Sequence, residues 1–220
     1  MNEILFFLHV FVVLGFILAA LRLGKEALIV GIALQALLAN IFVLKQMVFF
    51  GFYVTCSDVF AIGCITSLNL LQEYYSKESA RQAVWISFFA LSFYALMSQF
   101  HLLYVPAPQD TTQTSFISLL GITPRLLLAS LTTFFLVQQM DLHLFKFLKN
   151  RLARFPFATR STISLIFTQL FDTVLFSYLG LYGLGFALFD IIVVSFLLKV
   201  LIIGCTFPIN QIARRFRYEI

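Results

Sequence analysis

Of the 220 residues, 61% are hydrophobic and only 11% are charged, with a formal net charge of +5. A soluble domain carries roughly 25% charged residues, so this much apolar surface excludes a water-soluble globule and requires a bilayer. The apolar runs are continuous rather than alternating, which argues against an outer-membrane barrel, and the basic residues come without a soluble domain, which argues against nucleic-acid binding.

Windows of about 19 residues predict seven transmembrane helices. The first covers 4–21, behind Asn2 and Glu3; without a basic leading region it reads as a retained helix, not a cleaved signal. The second covers 27–44. The apolar segment 45–57, "KQMVFFGFYVTCS", is too short to cross alone and reads as a re-entrant or interfacial piece leading into the third helix, 58–75. The fourth helix is predicted at 82–105. A Pro-, Thr- and Ser-containing connection, 106–123, follows as a loop. "TPR" at 123–125 then starts the fifth helix, 124–146, with Thr123 as its cap and Pro124 at its first position. The sixth and seventh helices are predicted at 160–180 and 186–209. The fold class is therefore all-α, a polytopic helical bundle. Cys56, Cys64 and Cys205 form no C-x-x-C pair and read as packing residues, so no metal site is expected.

The charges orient the spans. Twelve of the 15 Lys and Arg fall after the first, third, fifth and seventh helices: Arg22, Lys25, Lys77, Arg81, Lys146, Lys149, Arg151, Arg154, Arg160, Arg214, Arg215 and Arg217. Lys45 and Arg125 are on the other side, and Lys199 is inside the last helix. The positive-inside rule then puts the N-terminus outside and the C-terminus in the cytoplasm.

Polar groups inside these helices are the candidates for function. A charge at the bilayer centre costs about 2.5–3.5 kcal/mol on insertion scales, so a chain that keeps one generally uses it. The third helix holds Asn69, Gln72 and Glu73, the fifth Gln138, Gln139 and Asp141, and the sixth Thr168, Gln169 and Asp172; the second holds Gln35 and Asn40, and the seventh Lys199. Gln138 and Asp141 share the three-residue spacing of Gln169 and Asp172, which puts each amide and carboxylate on one helix face. Single amides such as Gln35, Gln72, Gln99 and Gln139 read as interhelical glue, worth about 0.6 kcal/mol on average. Glu73, Asp141, Asp172 and Lys199 together read as a polar cavity, with a buried Asp172–Lys199 tie as the structural alternative. A carboxylate beside a glutamine can read the edge of a nitrogenous ring, and 28 phenylalanines and eight tyrosines offer faces to stack on. There is no H-E-x-x-H, no G-x-S-x-G and no Walker motif, so neither an enzyme nor an ATP-driven chain is expected.

From about Ile29 to Arg215 the chain resembles the queuosine-precursor transporter family, also called the vitamin uptake transporter family. The stretches that carry the likeness are "ALLANIFVLK" (36–45), "NLLQEYYSKESARQ" (69–82), "GITPRLLLASLTTFFLVQQMDLHLFKFLK" (121–149), "STISLIFTQLFDTVLF" (161–176) and "LLKVLIIGCTFPI" (197–209), in the family's order and spacing. The resemblance implies a six-helix transporter core at 27–212, an additional N-terminal helix at 1–26 and a basic cytoplasmic tail at 213–220. It implies a bacterial inner-membrane importer of deazaguanine compounds, namely queuine or the cyano- or aminomethyl-deazaguanines, for tRNA modification, with no cofactor. A substrate-binding subunit of a multi-component uptake system is the alternative. The substrate-binding set is Asn40, Asn69, Glu73, Gln138, Asp141, Gln169, Asp172 and Lys199. Arg81 also matches the family pattern but reads as a topology or capping residue. The family commonly has Asp where this chain has Asn69, and Gly where it has Ser76. A buried Asp–Lys pair would also permit proton coupling.

Overall fold

The computed structural model describes residues 1–151, 154, 157–184 and 187–216. Within these, the side chains of 72, 73, 77, 138, 139, 141–143, 145, 146, 149, 150, 157–162 and 205–216 are not described. Among the described residues, seven long helices form the bundle, at the places the hydropathy predicts. They are α1 (Asn2–Leu23), α2 (Lys25–Phe42), α3 (Asp58–Tyr74), α4 (Lys77–Leu103), α6 (Thr123–Arg151), α7 (Phe157–Phe176) and α8 (Leu188–Phe216). A short α5 (Gln113–Leu120) and a hairpin of β1 (Gln46–Phe49) and β2 (Phe52–Thr55) complete the chain. Among the described residues, five helical stretches are long and apolar enough to cross a membrane: Asn2–Leu23, Lys25–Phe42, Glu78–Leu103, Gln113–Val137 and Ile163–Leu181. Asp58–Leu71 is apolar but shorter.

Local chemistry fixes the joints. Gly24 links α1 to α2 at φ 111°, a backbone region that an L side chain rarely adopts. Between β1 and β2, Phe50 and Gly51 both have positive φ, 47° and 86°, as tight antiparallel hairpins require. The register pairs Gln46 with Thr55 and Phe49 with Phe52. Segment 45–57, expected as a re-entrant or interfacial piece, thus folds as a hairpin. Its β-branched and aromatic residues around a Phe–Gly turn satisfy the backbone by strand pairing, since the run is too short for a spanning helix. α4 starts at Lys77 rather than 82, because Ser76 caps it by accepting from the Ser79 amide at 3.1 Å. In the expected loop 106–123, Asp110 accepts from the Thr112 amide and hydroxyl at 2.7 and 2.6 Å, and α5 follows. These two bonds hold the exposed Asp110 carboxyl below its ordinary range. Gln99 ties α5 to α4, donating to the Leu120 carbonyl at 3.0 Å.

α7 ends in a π-helical turn, Ser177–Leu181, and the chain reverses at Gly183, φ 80°. Arg125, near the start of α6, donates to the carbonyls of Leu179 and Tyr182 there, satisfying acceptors that a helix end leaves open.

α1 is not loosely attached. Phe6, Val10, Val13, Leu14, Ile17 and Leu21 are buried in a cluster with residues of α2, α3, α8 and the hairpin. Its first turn also grips the hairpin. Asn2 donates to the Val48 carbonyl at 2.8 Å, Glu3 accepts from the Phe50 amide at 3.2 Å, and Phe6 meets Phe49 edge-on. A second cluster, Val43, Leu126, Leu181 and Ile191, joins the end of α2 to α6, the π turn and α8.

α1, α2 and α3 meet closely at Gly63. A Cβ there would lie 1.9 Å from Gln35 Oε1 and 3.0 Å from Val13 Cγ1. Gln35 is itself buried and donates to Gly31 O and Ser67 Oγ. Gly63→Ala should therefore lower stability by about 1–3 kcal/mol through overpacking, read as a shifted melting temperature in detergent. Adding Gln35→Ala should recover most of the loss; no recovery would show that the crowding is not between these two residues.

Candidate functional site

Six helices enclose a cavity of about 230 Å³, and the end of the hairpin contributes Thr55 to its wall. The wall is mainly apolar, with a few polar side chains, the usual build of a small-molecule site. α2 supplies Asn40, α3 Asp58, α4 Ser87 and Phe88, and α6 Ser130, Thr133 and Phe134. α7 supplies Gln169, Asp172, Thr173 and Phe176, and α8 Ser195 and Lys199.

Lys199 is at the centre of its chemistry. Nζ donates to Asp172 Oδ2 at 2.8 Å and to Thr173 Oγ1 at 2.9 Å. Thr173 Oγ1 in turn donates to the backbone carbonyl of Gln169 at 2.7 Å, which fixes the hydroxyl with its lone pairs toward the ammonium. Lys199 is 4% exposed, so the ion pair with Asp172 is what makes its charge tolerable in this setting. Asp172 keeps more freedom, its side chain being 27% exposed. Asp58, 5% exposed, has Lys199 and Asp172 as charged neighbours, yet its Oδ2 has no hydrogen-bond partner among the described residues. The same holds for Gln169 Oε1, Thr133 Oγ1 and Ser195 Oγ. Buried polar atoms are nearly always paired, so four unpaired ones around one cavity mark where a ligand or water completes the set.

Of the residues expected to bind, Asn40, Gln169, Asp172 and Lys199 line this cavity. Gln169 and Asp172 reach it together, as their three-residue spacing requires. Asn40 is already engaged: Nδ2 donates to Ala36 O at 3.0 Å, and Oδ1 accepts from Ser130 Oγ at 2.7 Å. It binds α2 to α6 as well as facing the cavity. Asn69 is exposed on α3, outside the lining. The side chains of Glu73, Gln138 and Asp141 lie outside the described residues, so the expected Gln138–Asp141 face does too.

Sequence reasoning missed Asp58, Thr133 and Ser195. Asp58 stands at the start of a predicted helix, where an acid reads as a favourable first-turn charge. The clue was its apolar neighbourhood, Val59 and Phe60, at the mouth of a span. Thr133 and Ser195 carried no signal, since lone hydroxyls are common in membrane helices.

A family model described as "Putative vitamin uptake transporter" matches residues 55–213. That range begins at Thr55 and includes Asp58, Gln169, Asp172 and Lys199. A protein of Bacillus subtilis (strain 168) named "Probable queuosine precursor transporter" is 31% identical over 182 residues, an alignment spanning 78% of this chain and 78% of that protein. No solved structure matches. The helical, multi-pass architecture agrees with both likenesses, and transport rather than enzymatic turnover is their common description. This chain belongs to the vitamin uptake transporter family.

Proposed function

We propose that the cavity binds queuosine precursors, flat deazaguanine bases, and that the chain carries them into the cell across a bacterial cytoplasmic membrane. The observation that carries this reading is the Lys199–Asp172 pair set beside the unpartnered Gln169 Oε1, inside the bundle of a transporter. A ring with neighbouring N–H donors meets the Gln169 carbonyl and the exposed side of the Asp172 carboxylate. Phe88, Phe134 and Phe176 line the same space and offer stacking faces. Lys199 offsets the charge of Asp172 while the site is empty.

In this reading the N-terminus is outside and the C-terminus cytoplasmic, as the basic residues favour. Residues 27–212 form the transporter core, 213–220 the basic tail, and 1–26 an added helix that braces the hairpin and α3. Access alternates around the cavity. The π turn Ser177–Leu181, next to the site on α7, is a natural place for that helix to adjust, since π turns accompany functional sites.

The test is uptake in a strain that can neither make nor import queuosine precursors. Expression of this chain should restore the modified nucleoside when queuine, aminomethyl- or cyano-deazaguanine is offered, for at least one of the three. No restoration with any of them, at normal membrane levels of the protein, would refute the substrate assignment. Purified chain alone in liposomes should also transport; failure there, with success in cells, would favour a binding subunit that needs an energising partner.

A further inference from the structure

The cavity is unbalanced in charge. Its described lining holds two carboxylates, Asp58 and Asp172, against one ammonium, Lys199. That ammonium is already spent on Asp172 and Thr173, two of its three hydrogens. Asp58 has no ion pair among the described residues and an Oδ2 without a partner, in a residue 5% exposed. A buried, uncompensated carboxylate is unfavourable and is relieved by a positive charge or by protonation. The one charged neighbour of opposite sign among the described residues, Lys199, is shared with Asp172 and bonded to it, and the other elements supply no further positive charge. From α8 it faces Lys199 and Ser195, and from α7 Asp172. The strand-side connection brings the thiol of Cys56, while among the described lining residues α2, α4 and α6 contribute only uncharged groups such as Asn40, Ser87 and Thr133. Gln169 Oε1 also waits for a donor. The missing partners are donors, and one of them is a positive charge.

We infer that Asp58 receives one positive charge when the site is loaded, either an ammonium carried by the ligand or a proton taken up with a neutral ligand. This rests on the cavity being the substrate site. Asp58 then makes the carrier's response depend on ligand charge. A cationic ligand binds without proton exchange at Asp58. A neutral ligand of the same ring system binds with proton uptake, and binds more tightly as pH falls.

Calorimetric titration of the purified full-length chain in lipid nanodiscs tests this, in two buffers of different ionisation enthalpy. Aminomethyl-deazaguanine, which is cationic, is compared with cyano-deazaguanine, which is neutral. The wild type should take up about one more proton with the cyano compound than with the aminomethyl compound. In Asp58→Asn that difference should vanish, and aminomethyl affinity should fall roughly tenfold. If the wild type binds both compounds with the same proton count, the inference is wrong and the substrate assignment stands. A difference that persists in Asp58→Asn likewise removes Asp58 from the role. Binding of neither compound by the wild type overturns this inference and leaves queuine as the one compound on which the substrate assignment stands. Should the variant not purify, the wild-type proton counts decide the matter alone.

Discussion

Lys199→Met should abolish uptake and cost the fold about 3–5 kcal/mol, the usual consequence of removing one partner from a buried ion pair. The variant strands two carboxylates at once. Asp172 loses its 2.8 Å partner and Asp58 loses its nearest cation. In a detergent melt the loss should appear as a fall of roughly 10 °C. The double variant Lys199→Met, Asp172→Asn removes most of that penalty, because a neutral amide replaces the carboxylate that was bonded to Lys199 and Asp58 no longer faces a second negative charge. It should melt within a few degrees of wild type and still fail to transport. A double variant that recovers uptake along with stability would reduce the pair to a structural tie.

Gln169→Leu should do the opposite to stability and the same to transport. Gln169 is 3% exposed, and its Oε1 has no partner among the described residues. An unpaired buried acceptor costs about 1–3 kcal/mol, so an apolar side chain of similar shape should leave the melting temperature unchanged or raised. Uptake should nevertheless fall by roughly 10- to 100-fold, because the lost carbonyl is one the ligand needs. Both are measured in one experiment: uptake per unit of protein in membranes, with melting of the purified variant beside it. Lower stability with wild-type uptake would place Gln169 among the packing residues.

The two expected results separate because the groups are held differently. Lys199 is satisfied within the chain, through Asp172 and Thr173. The side-chain oxygen of Gln169, Oε1, is not. A site built for a visitor must keep some of its polar atoms free, and those atoms are a cost to the empty fold.

How much of this was legible in the sequence depends on period and partner. The seven long helices could be read because long continuous apolar runs have few alternatives. Gln169 and Asp172 could be placed on one face because three-residue spacing fixes it. The Asp172–Lys199 tie was open to the sequence as an alternative, because each charge is expensive alone in such surroundings. Asp58 could not be read, because an acid opening a helix looks the same whether it faces water or a cavity. Its burial comes from the hairpin and from α8 folding over the start of α3, contacts distant in sequence. The hairpin itself was obscured by its apolarity, since a short apolar run does not declare strand or helix. Only the Phe50–Gly51 turn hinted at it. α5 was hidden among Thr, Gln and Ser that favour a loop, and its eight residues are held by Gln99 from α4 rather than by a buried face of their own. Asn69 shows the reverse error. Its polarity within a predicted span suggested a site, whereas α3 turns it outward.

The packing of α1 answers a further point that hydropathy could not. A helix of Leu, Phe and Val beyond the region of family likeness reads as an appendage. Its buried face and its grip on Val48 and Phe50 instead make it the support of the hairpin that ends in the cavity wall at Thr55.

The decisive measurement is an experimental structure of the full-length chain at saturating aminomethyl-deazaguanine. The expected result is the ring inside the six-helix cavity, with donor atoms about 3 Å from Gln169 Oε1 and from a carboxylate oxygen of Asp172. A ligand bound elsewhere on the protein, with this cavity vacant, would contradict the assignment of the site.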